Sequence, residues 1–329
     1  ARTHDPALRA ETLTALGMAL IHSVRGWDEE GAASLHRALV LADEAGTRRI
    51  ATTAHRELGW IGAVAGRREQ ARSHLQRAAE LAEGDDEIAA VLGVNGLQSS
   101  DTADYEVALE SLRESIERAG SAGDRRQIAF SGTVLARAHL LRGELAEAET
   151  RSETAIEDAR AERWLAFVPW PETVRAEVDR LRGLGDQAEE RYQRAFTLAC
   201  EIEDPCWEAF AARGIGLLAA ERGDAQQAGR WLEEARTRCS RWPDRYEWAH
   251  AWVLDAAAGL AITREEDRAR ELAGRLEETA SRATLRELVA RALLHRARLG
   301  ESDVTQAARA LSREIENPLL QAELAAPSV

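Results

Sequence analysis

An all-α solenoid of about eight antiparallel helix pairs is the fold this sequence predicts. The first observation is a repeat. A small residue, followed by partners four, seven and eleven positions on, recurs from Gly31, Ala71, Ala108, Ala148, Ala188, Ala228, Ala269 and Ala307. These first members lie 40, 37, 40, 40, 40, 41 and 38 residues apart. Composition is the second: of 329 residues, 45% are hydrophobic and 30% charged, with Ala, Leu, Glu and Arg dominant, all good helix formers. Third, no stretch alternates apolar and polar residues long enough for a strand, and only seven prolines interrupt the chain. A regular repeat makes the chain one elongated body rather than two or three globular domains.

Offsets of four, seven and eleven fall on one helix face, so each copy marks the buried stripe of a second helix. The first repeat, residues 7–46, carries Gly31, Leu35, Ala38 and Ala42, and the second, 47–84, carries Ala71, Leu75, Ala78 and Ala82. Ala108, Leu112, Ser115 and Ala119 mark the third (85–122), and Ala148, Ser152, Ala155 and Ala159 the fourth (123–162). The fifth, 163–203, has Ala188, Tyr192, Ala195 and Ala199; the sixth, 204–242, has Ala228, Leu232, Ala235 and Cys239. In the seventh, 243–282, stand Ala269, Ala273, Leu276 and Ala280. The eighth, 283–315, keeps Ala307 and Leu311 before Glu314 and Pro318 break the pattern, as a terminal cap would. The repeat region is thus expected over 1–315, with 316–329 as a frayed or linking tail.

Twelve residues before each stripe stand Gly59, Gly96, Ala136, Ala176, Gly216 and Ala257, small again, as two closely crossing helices require. Turns at Gly143-Glu144, Gly185-Asp186 and Gly223-Asp224 place a left-handed glycine before a helix-capping acid. Asp204-Pro205 reads as a cap with proline at the first helical position. The segment Trp164 to Pro171 is the main irregularity. Its prolines place the start of the fifth repeat's first helix near Pro171. Tryptophan is uneven: Trp164, Trp170, Trp207, Trp231, Trp242, Trp248 and Trp252 crowd the second half, against Trp27 and Trp60 before them.

Leu58-Gly59 with Ala71, Leu75 and Ala78, and Ile215-Gly216 with Ala228, Leu232 and Ala235, resemble the tetratricopeptide repeat (TPR). The resemblance covers residues 7–315, at a period near 40 rather than the family's common length of about 34. Lengthened repeats of this kind resemble the sensor regions of large ATP-binding bacterial transcriptional regulators of the MalT and LuxR-related type, and light-chain and polarity adaptors. The resemblance implies a right-handed TPR-like α-solenoid whose first helices line a concave face holding a peptide, a protein partner or a small effector. Carried onto this sequence, the inner-face positions are Arg56 and Trp60; Phe130, Thr133 and Arg137; Trp170, Glu177 and Arg180; and Phe210, Arg213 and Leu217. Arginine beside an aromatic recurs among them, a pairing that reads carboxylates bidentately and offers a stacking face. The same residues would serve equally as packing against the next helix. Repeats four to seven are the expected ligand-binding half, with the Trp164–Pro171 segment either flooring a pocket or burying its aromatics as a joining loop.

Several functions are excluded or disfavoured. A net charge of −14 argues against nucleic acid, whose binding surfaces are basic. All 43 basic residues are arginine, so no P-loop, Schiff-base or general-base lysine exists. Without lysine, and with asparagine only at Asn95 and Asn317, a carboxylate-clamp groove is disfavoured. No G-x-S-x-G elbow and no His-x-x-x-His pair occurs, and Gly214-Ile215-Gly216 lacks the third glycine of a dinucleotide loop. His55, His139 and His250 read as interfacial polar groups, and Cys200, Cys206 and Cys239 as structural residues of a reducing cytoplasm. No catalytic residue, metal or cofactor is expected, and no run of eighteen apolar residues spans a membrane. The chain starts at Ala1 rather than methionine, which suits a segment of a longer protein with a covalently linked ATPase and a DNA-binding domain outside it. A free-standing scaffold and a small-molecule-binding accessory protein are the alternatives.

Overall fold

Helices with small residues on one face pack at short range, and the computed structural model is built of them. It describes residues 5–24, 26–241, 246–315 and 317–325, so Trp242 and the two chain ends, 1–4 and 326–329, lie outside the described residues. All regular structure among the described residues is helical. Helix α1 (Pro6–Met18) runs into a π-helical turn (Ala19–Val24), and α2 (Asp28–Ala45) completes the first pair. There follow α3 (Arg48–Val64) with α4 (Arg68–Leu81), α5 (Asp85–Asp101) with α6 (Tyr105–Ala122), and α7 (Arg125–Leu141) with α8 (Leu145–Ala161). The second half pairs α9 (Pro169–Leu181) with α10 (Gly185–Glu201), α11 (Pro205–Glu221) with α12 (Ala225–Cys239), and α13 (Glu247–Ala261) with α14 (Glu266–Arg282). Last come α15 (Arg286–Arg298), α16 (Val304–Arg313) and α17 (Pro318–Ala325).

Each odd-numbered helix from α1 to α15 touches its pair mate and also the next odd-numbered helix. The odd helices therefore form the inner layer and the even ones the outer. The stripes explain the spacing. Leu75, Leu112 and Leu232 are buried, and a Cβ at the facing Gly59, Gly96 or Gly216 would lie 2.6, 2.4 or 2.9 Å from those leucines. Only glycine admits the larger stripe residue there.

Four local expectations need correction. Helix α9 starts at Pro169, not Pro171: both prolines fall in the first turn, where backbone N–H groups have no helical acceptor to lose. Trp170 is consequently helical and only 1% exposed. Gly183, at φ +74°, closes α9, whereas Gly185 opens α10; Gly143 and Gly223 take the left-handed conformation as expected. In α16 the buried positions are Val304, Ala308 and Ser312, and Ala307 is exposed. That helix begins by burying Val304, which sets its inward face one residue later than the stripe reading. The expected tail is helical over α17: Asn317 Oδ1 accepts the Leu320 N–H at 3.0 Å, and Leu320 is buried.

The stack coils until the eighth repeat meets the second and third. The Arg68 Nε donates to the Ala283 carbonyl at 3.0 Å, and the Tyr105 hydroxyl donates to Glu287 at 2.5 Å, contacts spanning 215 and 182 residues. Arg286 adds an ion pair to Asp104 at 2.9 Å. Behind this seam, Asp101 at the end of α5 accepts from Arg137 at 2.9 Å and lies 3.5 Å from Arg68, with all three side chains buried.

Histidines gather where the first two repeats meet. His55 Nδ1 lies 2.9 Å from His74 Nδ1, and the His36 ring stands 5.8 Å from that of His74. Burial first, then His74, Arg77 and His36, bring His55 down from 6.5 to about 4. The unfolded chain therefore binds more protons between those values. The stability contribution is complete above pH 6.5 and is lost as pH falls toward 4. His55→Gln is expected to flatten the fall of the thermal midpoint across that window. An unchanged slope in a pH series of melts would contradict this account.

Candidate functional site

The inner helices meet around an aromatic cavity of about 420 Å³ on the concave side. Its walls come from successive inner helices: Trp60 on α3, Ala90, Val94 and Leu97 on α5, Phe130 on α7, and Trp170, Trp207 and Trp248 on α9, α11 and α13. Trp164 and Phe167 enter from the segment before α9, which both buries aromatics as a joining loop and walls the cavity. Trp170 stacks on Trp207 with centroids 5.0 Å apart and planes 17° from parallel; Trp164 stacks on Phe167 at 4.1 Å and 11°. Phe130 presents an edge contact to Trp60 at 5.7 Å and to Trp170 at 6.0 Å. Such offset and edge-to-face pairs hold ring planes in fixed orientation.

One side of the cavity carries charge. Glu57, on α3, accepts from Arg56 and lies 2.6 Å from His22 Nε2. Burial alone would raise the Glu57 carboxyl, but Arg56 and His22 outweigh it and bring it down to about 2. The Glu57 carboxylate stays ionised and fully engaged. Arg126, exposed on α7, places its guanidinium 5.8 Å from the Trp164 centroid.

A second, tighter cavity of about 50 Å³ lies farther along, lined by Arg137, Glu177, Tyr192, Phe210, Arg213 and Trp252. Glu177 accepts from Arg180 and from the Tyr192 hydroxyl, with Arg213 3.8 Å away. Burial opposes ionisation here too, and Arg180 and Arg213 prevail, bringing Glu177 down to about 2. The Arg213 Nε donates to the Trp252 carbonyl at 3.1 Å, and its guanidinium stacks over that ring. Arg180 reaches on to Glu221 across the repeat boundary. A wider depression of about 800 Å³ opens beside α10, but its Arg160, Glu172, Glu190 and Arg194 pair among themselves.

The structure thus divides the expected inner-face residues. Arg56, Trp60, Phe130 and Trp170 come together around the aromatic cavity. Arg137, Glu177, Phe210 and Arg213 line the small one, and there the three charged groups are bonded to protein partners. Arg180 and Leu217 line neither cavity; Arg180 ties repeats together and Leu217 packs against the core. Thr133 is buried, donating to the Ala129 carbonyl at 2.8 Å. The cavity also extends beyond the expected half: Met18, His22, Arg56 and Trp60 bring the first two repeats into it. Arg126, Trp207 and Trp248 were not among the expected residues, whereas Trp164 and Phe167 belong to the segment expected either to floor a pocket or to bury its aromatics. A signal existed for two of the missed residues, since Trp207 and Trp248 follow Phe167 at intervals of 40 and 41.

Fold and cleft define a TPR-like helical-repeat protein with a concave aromatic groove. Neither a family model nor a curated protein sequence matches the chain. Solved structures do. Rap protein complexed with competence and sporulation factor aligns with 97% of this chain and 88% of its own, at TM-score 0.74 and 12% identity. NprR in complex with its cognate peptide NprX aligns with 94% of this chain and 88% of its own, at TM-score 0.66 and 13% identity. At these identities the likeness is one of fold. No helix among the described residues is long and apolar enough to cross a membrane.

Proposed function

We propose that this chain is a non-enzymatic binding module that takes a peptide or an extended partner segment on its concave face. The observation that carries the reading is the groove itself: inner helices converge on a cavity of fixed aromatic planes, bordered by Arg56, Glu57, His22 and Arg126. Aromatic anchors ringed by charge are the arrangement from which binding hot spots are built. Support comes from Rap and NprR, whose structures hold competence and sporulation factor and a cognate peptide on folds that align with nearly the whole of this chain. The repeat length and arginine-rich composition favour the sensor region of a larger bacterial regulator, in which occupancy of the groove would control linked domains.

The test is selection of phage-displayed random octapeptides on the chain, followed by fluorescence anisotropy with the best synthetic peptide. Combined Arg126→Glu and Phe130→Ala substitution is expected to weaken that peptide by at least about tenfold, the effect of losing one hot spot. No enriched peptide, or equal affinity for the double variant, contradicts the proposal. A Walker-type ATPase and a helix-turn-helix encoded in the flanking DNA would support the regulator assignment, and a solitary reading frame would refute it.

A further inference from the structure

We infer that the aromatic cavity is a site for a flat aromatic small molecule bearing oxygen acceptors, an inference that rests on the concave face being the binding face. Protein interiors hold few voids larger than a water molecule. A cavity of about 420 Å³ is instead of the size that receives drug-sized ligands, on the order of 300–1,000 Å³. Its walls suit a planar guest. The half-buried Trp60, Phe130 and Trp164 offer ring surface, held in place by the Trp164–Phe167 stack and by the edge contacts of Phe130 to Trp60 and Trp170. Flat apolar groups insert beside such faces by offset stacking.

The polar complement is specific. Trp60 and Trp170 both line the cavity, and their indole Nε1–H groups are buried without an acceptor. Trp170 is 1% exposed, so ordinary solvation does not satisfy its donor. Buried donors in native proteins nearly always find partners. Two orphan donors in one aromatic cavity point to a guest with carbonyl, hydroxyl or carboxylate oxygens. Glu57 does not select for a cation, because Arg56 and His22 already engage it. Arg126, against the Trp164 ring, adds a positive charge facing an acidic or oxygen-rich edge of the guest. The site therefore favours neutral or anionic aromatics.

The probe is anilinonaphthalene sulfonate, whose flat naphthalene ring carries sulfonate oxygens. Titration of the full chain, followed by probe fluorescence and tryptophan quenching, is expected to show saturable one-to-one binding. Ala90→Phe fills the cavity from α5 and is expected to reduce affinity at least tenfold. Trp60→Phe keeps a ring but removes one donor, and a threefold or greater loss is expected even if Ala90→Phe proves too unstable to assay. Near-ultraviolet circular dichroism of each variant separates site loss from unfolding. Non-saturable binding, or unchanged affinity in a folded Ala90→Phe or Trp60→Phe variant, overturns the inference, whatever the octapeptide measurement shows. Loss of peptide selection with one-to-one, variant-sensitive probe binding supports the cavity and removes only the peptide reading.

Discussion

Replacing Asp101 by alanine is expected to cost about 3–5 kcal/mol of unfolding free energy, the effect of stripping one member from a buried ionic cluster. The Asp101 carboxylate is wholly buried between Arg137, at 2.9 Å, and Arg68, at 3.5 Å, and both guanidinium groups are nearly inaccessible to water. Removing it leaves two buried like charges with no counter-ion. Arg137 retains only Ser100 and the face of Trp248, while Arg68 retains the Ala283 carbonyl. Denaturant midpoints, with the slope of the transition unchanged, measure the loss; a change below about 1 kcal/mol would show a cluster far better hydrated than the structure has it. Replacing all three residues with apolar ones of similar volume should recover most of the stability, since a buried ion pair contributes little relative to a well-packed isostere.

Gly66→Ala is the second large effect. Gly66 sits at φ +73°, and a Cβ there would lie 2.5 Å from the Cβ of Ala283 and 2.9 Å from its Cα. Left-handed backbone and overpacking together give a cost of about 2–4 kcal/mol. The two parts are separable. Ala283→Gly in the same chain removes the Cβ contact but neither the 2.9 Å approach to the Cα nor the backbone strain, so it should restore only part of the midpoint. Because the clash lies on the seam between the second repeat and the end of α14, small-angle scattering should also report a larger radius of gyration for the single variant. A chain that keeps both its radius and its midpoint would mean that this contact does not hold the coil closed.

The helix pairs were legible because burial in a helix writes itself at intervals of three and four residues: Leu35, Ala38, Leu75, Ala78 and Leu112 face the core where their spacing puts them. The seam was not legible. Nothing in the local pattern of Arg68 or Tyr105 marks a partner 215 or 182 residues away. For the site, the spacing that brings Trp60, Phe130 and Trp170 together is visible in the repeat. Whether an inner-face arginine is available to a guest depends on who else reaches it. Arg137, Arg180 and Arg213 meet Asp101, Glu177 and Glu221; the spacing marks Glu177 as inner-face, but Asp101 and Glu221 look like ordinary helix-surface charge in one dimension. Pro169 misled for a similar reason, since its cost depends on whether its missing N–H falls inside a helix or in the first turn.

An open stack of repeats behaves under load as a spring, each unit yielding slightly and passing the force to its neighbour. This chain is clasped. Arg68, Tyr105 and Asp104 fasten the early repeats to Ala283, Glu287 and Arg286, so tension between the termini falls first on a few side-chain bonds, two of them buried, and only afterwards on the coil. The same clasp governs assembly. It joins segments about two hundred residues apart in sequence, and so must form late, after the loop it closes has been largely ordered.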